Sequence, residues 1–153
     1  MKPNITTTTV WKGEEVKIRM EKTTGNSIYK LGLMVESQAK LLAPVNYGYL
    51  AASITTQAYD KGTKPENPNR YKGRDHPPLG KPFKEKPLTI ISQPKNKKEV
   101  HVGTVVEYAP YVEYGTRKMR AQPYLRPSLD LVRGKTLTVV KTEFGYEFKE
   151  YMK

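Results

Sequence analysis

Two long stretches of the chain place apolar residues three and four positions apart, the spacing of one helical face. Residues 14–43 form the first, which ends at Pro44, because proline disfavours helical geometry in the residue before it. Residues 25–27, Gly-Asn-Ser, interrupt this stretch, so the pattern predicts either one helix or two, the second beginning at Ser27. Residues 123–152 form the second stretch and are predicted to be a long C-terminal helix.

Strand patterns lie between these two helices. Residues 86–92 and 99–107 are rich in β-branched residues, and the polar segment 93–98 between them has the length and residue types of a hairpin loop. Residues 51–58 are predicted to form a further strand, after a turn at 46–48 that contains glycine. These strands predict an antiparallel sheet with the first helix covering one face.

The first thirteen residues, 1–13, contain a β-branched run at 5–11 in which four consecutive threonines do little to fix a register. This region is predicted to be an N-terminal arm or an edge strand, which would be the fourth strand of the sheet. The fold class is therefore α+β: an antiparallel sheet of three to four strands, covered by an N-terminal helix and a long C-terminal helix. Residues 1–153 are predicted to form a single domain.

Residues 60–87 interrupt this pattern with six prolines, too many for a helix or an inner strand. A structureless connection of this length is uncommon inside a domain and is usually functional or disordered. We predict a protruding basic loop between the first two core strands, and a mobile, solvated loop is the alternative. Its candidate contact residues are Lys61, Lys64, Arg70, Lys72 and Arg74.

Residues 102–130 combine tyrosines with cationic side chains. Three tyrosines at every third position are followed directly by three cations within four residues. Tyrosine and arginine are enriched at protein interfaces, so this segment is predicted to be a contact surface that joins the last strand to the C-terminal helix. The alternative is a local tyrosine cluster packed under the loop. The candidate interface residues are Tyr108, Tyr111, Tyr114, Arg117, Lys118, Arg120, Tyr124 and Arg126.

Composition favours macromolecular partners. Only 37% of the residues are hydrophobic, which suggests surface that partners cover, and the net charge of +12 favours acidic partners such as nucleic acid or an acidic protein surface. No helix-turn-helix or other nucleic-acid-binding pattern accompanies this charge. No apolar run approaches the roughly 20 residues that span a bilayer, and no secretory signal is apparent, so no membrane partner is expected.

Residues suited to catalysis are scarce. The chain has no cysteine, which excludes disulfides, thiolate zinc sites and cysteine nucleophiles. His76 and His101 belong to unrelated contexts, so no metal site is predicted. A triad of Ser53 or Ser92 with His101 and Asp130 would lack the motifs that normally accompany one. We expect neither an enzyme nor a cofactor.

Two segments together resemble the tail-completion, or head–tail joining, proteins of long-tailed bacteriophages. The first reads Val-Glu-Tyr-Ala-Pro-Tyr-Val-Glu-Tyr-Gly-Thr at 106–116 and continues as Met-Arg-Ala-Gln-Pro-Tyr-Leu-Arg-Pro-Ser-Leu at 119–129. The second, at 30–54, is similar to the family's helix, Ala-Pro-Val turn and Ser-Ile strand. The turn at 46–48, the long insert at 60–87 and the first thirteen residues depart from the family's pattern.

This resemblance implies a structural virion protein without catalytic activity. Such a subunit would form a ring, with a hexamer expected, at the head-proximal end of the tail in the neck of the virion, after assembly in the host cytoplasm. Its partners would be further copies of itself, the head–tail connector, adaptor or stopper protein, and the tail tube protein, with passing contact to genomic DNA. The alternative is a basic nucleic-acid-binding accessory protein of the phage that uses the tyrosine- and arginine-rich loop and the basic arm.

Overall fold

A computed structural model of the chain describes residues 12–44, 48–66 and 91–149. Its two strands pair antiparallel, with Thr55 opposite Gly103 and Ala58 opposite Val100. Helices and strands both contribute, and the predicted α+β class is confirmed. The elements in chain order are α1 (Gly13–Leu42), α2 (Tyr49–Ser53), β1 (Thr55–Ala58), β2 (Val100–Gly103), α3 (Ala109–Tyr114), α4 (Leu125–Arg133) and α5 (Thr136–Glu147).

The described sheet has two strands, so the prediction of three to four strands is not confirmed. The run at 5–11 and most of the predicted strand 86–92 lie outside the described residues. Ser92 is described and is not in a strand, although its carbonyl oxygen lies 2.9 Å from Nδ1 of His101. Of the predicted strand 99–107, only four residues belong to β2.

The predicted strand 51–58 is correct only in its second half. Gly48 has a φ of 75°, a conformation that favours glycine, and its carbonyl accepts a hydrogen bond from the backbone N–H of Ala52 at 2.9 Å. The chain then forms one helical turn, α2, because its leucine and alanines favour helix over strand. The strand β1 follows only at Thr55.

Helix α1 is continuous, so the interruption considered at residues 25–27 does not occur. The hydroxyl of Ser27 donates to the carbonyl of Thr23 at 2.8 Å, and the hydroxyl of Thr23 donates to the carbonyl of Arg19 at 2.8 Å. These polar side chains are buried with their hydrogen bonds made inside the helix, and they therefore do not break it.

The predicted long C-terminal helix is wrong: the region forms two helices. Helix α4 ends at Arg133, and α5 begins at Thr136 after a turn at Gly134 and Lys135. Glycine lowers helix stability by about 1 kcal/mol relative to alanine, which favours a break at this point. Both helices pack mainly against α1, and α1 packs against the two strands, so α1 is the helix that covers the sheet.

Four of the seven buried core residues are alanines, whose small side chains let the elements approach closely. The buried members of the core are Ala39, Ala43, Leu50, Ala51, Ile54, Ala109 and Tyr124. Helix α1 comes close to both strands at Gly32, where an added Cβ would lie 2.7 Å from Cγ2 of Val100 and 2.8 Å from Cγ2 of Thr56. Glycine is therefore required where α1 crosses both strands. Among the described residues, no helix has the length and hydrophobicity to cross a membrane.

Replacing Gly32 with alanine tests this close approach. We expect Gly32→Ala to lower the free energy of unfolding by about 1–3 kcal/mol, because overpacking at the sheet outweighs the gain in helix propensity. The matched control is Gly145→Ala in α5, where an added Cβ would meet nothing within 4 Å. The control should raise the free energy of unfolding by about 0.5–1 kcal/mol. Urea unfolding followed by circular dichroism measures both changes, and effects of the same sign would contradict the close contact.

Candidate functional site

Residues 108–126, which we call the docking segment, contain α3, the connection that follows it and the start of α4. At its centre is Glu113, whose side chain is buried, with 7% of the residue exposed. Its Oε2 accepts hydrogen bonds from the backbone N–H groups of Tyr124 at 2.8 Å and Leu125 at 3.0 Å, and its Oε1 accepts one from Arg126 at 3.1 Å. N–H groups at the start of a helix have no partner within it. A carboxylate from α3 therefore caps α4.

This cap comes from a distant residue because the residue at the N-terminal boundary of α4 provides none. That residue is Tyr124, which makes no capping hydrogen bond with its own side chain. Burial raises the pKa of Glu113, but the three backbone N–H groups and the nearby Arg126 more than offset this, so its pKa is lower than usual. The carboxylate is therefore ionised at neutral pH, where its charge also interacts favourably with the helix N-terminus.

The connection between α3 and α4 has a fixed backbone path. It leaves α3 at Gly115, whose φ is 77°. A Cβ at Gly115 would lie 2.7 Å from the backbone nitrogen of Ala121 and 2.8 Å from the carbonyl oxygen of Met119, so the chain folds tightly on itself. The backbone N–H of Gln122 then donates to the carbonyl of Val112 at 2.8 Å, which holds the second half of the connection against α3.

Residues 116–120, which we call the tip, close a small turn. The backbone N–H of Thr116 donates to the carbonyl of Met119 at 2.8 Å. The hydroxyl of Thr116 accepts hydrogen bonds from the N–H groups of Lys118 at 3.2 Å and Met119 at 3.1 Å. Arg117, Lys118 and Arg120 are exposed on this turn, and their role in a contact surface stays a prediction.

The three predicted interface tyrosines of α3 and its boundary point outward. Tyr111 is 59% exposed, Tyr114 is 64% exposed and Tyr108 is also exposed. The guanidinium carbon of Arg126 lies 4.6 Å from the centre of the Tyr114 ring, a cation–π contact that holds both side chains on the surface. The alternative of a tyrosine cluster packed under the loop is therefore wrong.

Tyr124, also predicted to be an interface residue, lies in the core of the chain. It is 1% exposed and belongs to the core cluster with Ile54 and Ala109. Burial, and secondarily the charge of Glu113, raises its pKa above the ordinary value for tyrosine. The hydroxyl of Ser128 donates to its carbonyl oxygen. Tyr124 thus anchors the docking segment to the core and does not form its contact surface.

Sequence reasoning did not select Glu113, which organises the segment. The available signal was indirect: residues 122–124, just before the predicted helix, include no Ser, Thr, Asp or Asn to cap it. A missing cap indicates that another group supplies the acceptors. The partners of Glu113 are backbone amides, which have no identifying sequence, so the pairing itself could not be found in this way.

Only the first part of the predicted basic loop at 60–87 is described. Lys61 packs on α1: its Nζ donates to Oδ1 of Asn26 at 2.7 Å and lies 4.7 Å from the centre of the Tyr29 ring. Lys64 is exposed. The candidates Arg70, Lys72 and Arg74 lie outside the described residues.

A buried ion-pair network fixes the path of residues 61–66. Nζ of Lys40 lies 2.6 Å from Oε1 of Glu36 and 2.6 Å from Oε1 of Glu66. The hydroxyl of Thr63 donates to the other oxygen of Glu36 at 2.7 Å, and the N–H of Glu66 donates to the carbonyl of Ala52 at 2.9 Å. The attraction within a buried ion pair is largely cancelled by the cost of removing its charges from water, so this network contributes more to the chain's path than to its stability. The chain therefore enters the 67–87 segment from a defined position.

Some of the residues considered for chemistry in the sequence can be placed in the structure. Among the described residues, no group of three or more His, Asp and Glu side chains could hold a metal ion. The hydroxyl of Ser53 hydrogen-bonds to the carbonyl of Leu50 at 2.7 Å and to the hydroxyl of Thr104 at 2.5 Å. Its local geometry is that of a structural side chain in the core.

Comparisons of this chain with protein-family models, with curated proteins and with solved protein structures found no match. Function is therefore inferred from the chain's own residues and their geometry.

Replacing Glu113 with glutamine tests the cap. Glutamine keeps the size of the side chain but removes the charge and turns an –NH₂ group toward at least one α4 amide. We expect Glu113→Gln to lower the free energy of unfolding near pH 7 by about 1–3 kcal/mol, measured in urea. The matched control is Glu143→Gln, which removes the exposed ion pair with Lys30. The control should change stability by less than about 1 kcal/mol.

The effect of Glu113→Gln should also depend on pH. Because the pKa of Glu113 is lower in the folded than in the unfolded chain, its stabilisation is complete above the unfolded-state value of about 4.3. The stabilisation is lost as the pH falls through the folded-state pKa. The stability difference between wild type and Glu113→Gln should therefore shrink in acid. A difference that stays constant from neutral pH into strong acid would contradict capping by an ionised carboxylate.

Proposed function

We propose that this chain is a structural virion protein of a long-tailed bacteriophage, without catalytic activity. It assembles into a ring, a hexamer, at the head-proximal end of the tail, completes the tail and joins it to the head connector. The observation that supports this proposal best is the docking segment, which holds Tyr111, Tyr114 and the tip outward on a fixed backbone. The same residues form the stretch whose sequence resembles the tail-completion proteins.

The distribution of exposed apolar side chains also supports a subunit with several neighbours. A subunit of a closed ring meets its two neighbours through different faces, and a joining ring has further partners above and below. Exposed apolar groups are typical of such contacts. Outside the docking segment, the described chain exposes Tyr59 and Val105 in connections, and the other exposed large apolar side chains lie on three helices: Ile18, Met20, Leu41 and Leu42 on α1, Leu129 and Leu131 on α4, and Leu137 and Tyr146 on α5.

The proposed partners are further copies of this chain, the connector, adaptor or stopper protein on the head side, and the tail tube protein. The ring would stand in the neck of the virion after assembly in the host cytoplasm. Its net charge of +12 suits acidic partners and passing contact with the genome. No cofactor is needed for this function.

A basic nucleic-acid-binding accessory protein is the second candidate. The exposed cations Arg117, Lys118 and Arg120 favour it. Stacking of bases on aromatic rings normally accompanies such binding, and one face of the Tyr114 ring is occupied by Arg126 at 4.6 Å. The ring-forming subunit therefore has the better support.

Light scattering and negative-stain electron microscopy of the purified protein test the proposal. We expect a ring of about six copies. We expect Tyr111→Ala/Tyr114→Ala to weaken the contacts of the docking segment by about 100-fold, because tyrosines at interface centres are frequent hot spots. In the phage that encodes this chain, the double variant should stop the joining of heads to tails. Its far-UV circular dichroism should match the wild type, since both rings are mostly exposed.

The control variant is Tyr59→Ala, because Tyr59 is also exposed and also has a cation, Lys97, over its ring at 5.8 Å. It should join heads to tails normally. A wild-type protein that stays monomeric and never joins tails would overturn the ring proposal. If that monomer also binds DNA with an affinity that falls steeply and log-linearly with salt, the accessory-protein candidate is favoured.

A further inference from the structure

The tip concentrates positive charge that the described residues leave uncompensated. Its three cations, Arg117, Lys118 and Arg120, lie within four positions of one turn, and all are exposed. Within the described parts of the chain, no carboxylate forms an ion pair with them, whereas Arg19 and Lys30 each pair with one carboxylate and Lys40 pairs with two. Like charges held this close repel one another, so the tip is most stable when an acidic group lies against it.

The tip is also preorganised. The hydrogen bonds of Thr116, the tight approach at Gly115 and the Glu113 cap fix its backbone at both ends. A fixed loop loses little conformational freedom when it binds, so more of its contact energy appears as affinity. Solvated surface charges need no such support. The construction of the tip therefore indicates a binding element.

A second copy of this chain is a poor match for the tip. A second copy has the same net charge of +12, from 27 Lys and Arg against 15 Asp and Glu, so its overall charge repels the cations of the tip. Several of the carboxylates are already committed to internal partners, among them Glu36, Glu66 and Glu113. A second copy is therefore predominantly cationic, and part of its acidic side chains is already paired. The tip is better suited to a different molecule.

The side chains around the cations favour a protein over a nucleic acid. Met119, 38% exposed, lies between Lys118 and Arg120, and Tyr111 is exposed on the adjoining helix. Mixed cationic, methionine and tyrosine surfaces are characteristic of protein interfaces. Nucleic acids are bound through cations spread along a groove together with open aromatic faces, whereas this tip is a single turn. We propose that the tip docks into an acidic, carboxylate-rich surface of a different protein. This inference rests on the proposed function, because it takes that protein to be a neighbour in the phage neck.

Binding of two immobilised probes tests this inference: an oligoglutamate peptide and a DNA duplex of similar total charge, each at about 0.15 M salt. The test variant is Arg117→Ser/Lys118→Ser/Arg120→Ser. The matched control is Lys95→Ser/Lys97→Ser/Lys98→Ser, which removes three exposed cations from another turn and changes the net charge equally. We expect the tip variant to bind the peptide about tenfold more weakly than wild type. The control variant should stay within about twofold of wild type.

Equal losses in the two variants would show an effect of net charge alone and would overturn the inference. A loss in the tip variant that is confined to the DNA probe would overturn it in favour of nucleic acid. Met119→Ser should weaken peptide binding only slightly, since the peptide binds through its charges. The circular dichroism of the Met119→Ser protein checks that a substitution in the tip leaves the fold intact. The molecular mass of the protein in the same samples shows whether a ring forms, which tests the proposed function. Peptide binding by the tip tests the present inference separately.

Discussion

The docking segment depends on one interaction, the capping of α4 by the carboxylate of Glu113. This contact joins α3 to the first turn of α4, and the cation–π contact between Tyr114 and Arg126 supports it from the surface. The charge of Glu113 meets three amides that otherwise have no partner, so the same contact satisfies a buried acid and a helix terminus. Tyr124 enters the core immediately beside it. The outward position of Tyr111, Tyr114 and the tip follows from this arrangement.

Much of the chain could be predicted from its sequence. The three- and four-residue spacing defined α1 almost to its ends, because proline and helix-breaking geometry leave a clear signal at residue 44. The tyrosine and arginine content of 102–130 predicts a contact surface, and the structure places most of those side chains at the surface. Short elements were not predictable. The helices α2 and α3 have only five and six residues, too few for a periodic pattern.

The remaining errors have a common physical origin in long-range contacts. Tyr124 and Tyr111 are the same residue type within one segment, and only the tertiary fold decides that the first is buried and the second is exposed. Lys61 belongs to a segment whose prolines predict a protruding loop, yet Asn26 and Tyr29 of α1 hold it. Glu113 was passed over because its partners are backbone amides. In each case the decisive partner is distant in the sequence and carries no motif.

Hydrogen exchange of the α4 first-turn amides, followed by NMR, is the most direct measurement of the Glu113 cap. Amides at an uncapped helix start exchange rapidly, because nothing within the helix binds them. If Glu113 caps α4, the amides of Tyr124, Leu125 and Arg126 should be protected to nearly the same degree as that of buried Val132 inside the helix. Exchange of these three amides at the rate of an unstructured peptide, with Val132 protected, would contradict the cap and with it the fixed shape of the docking segment.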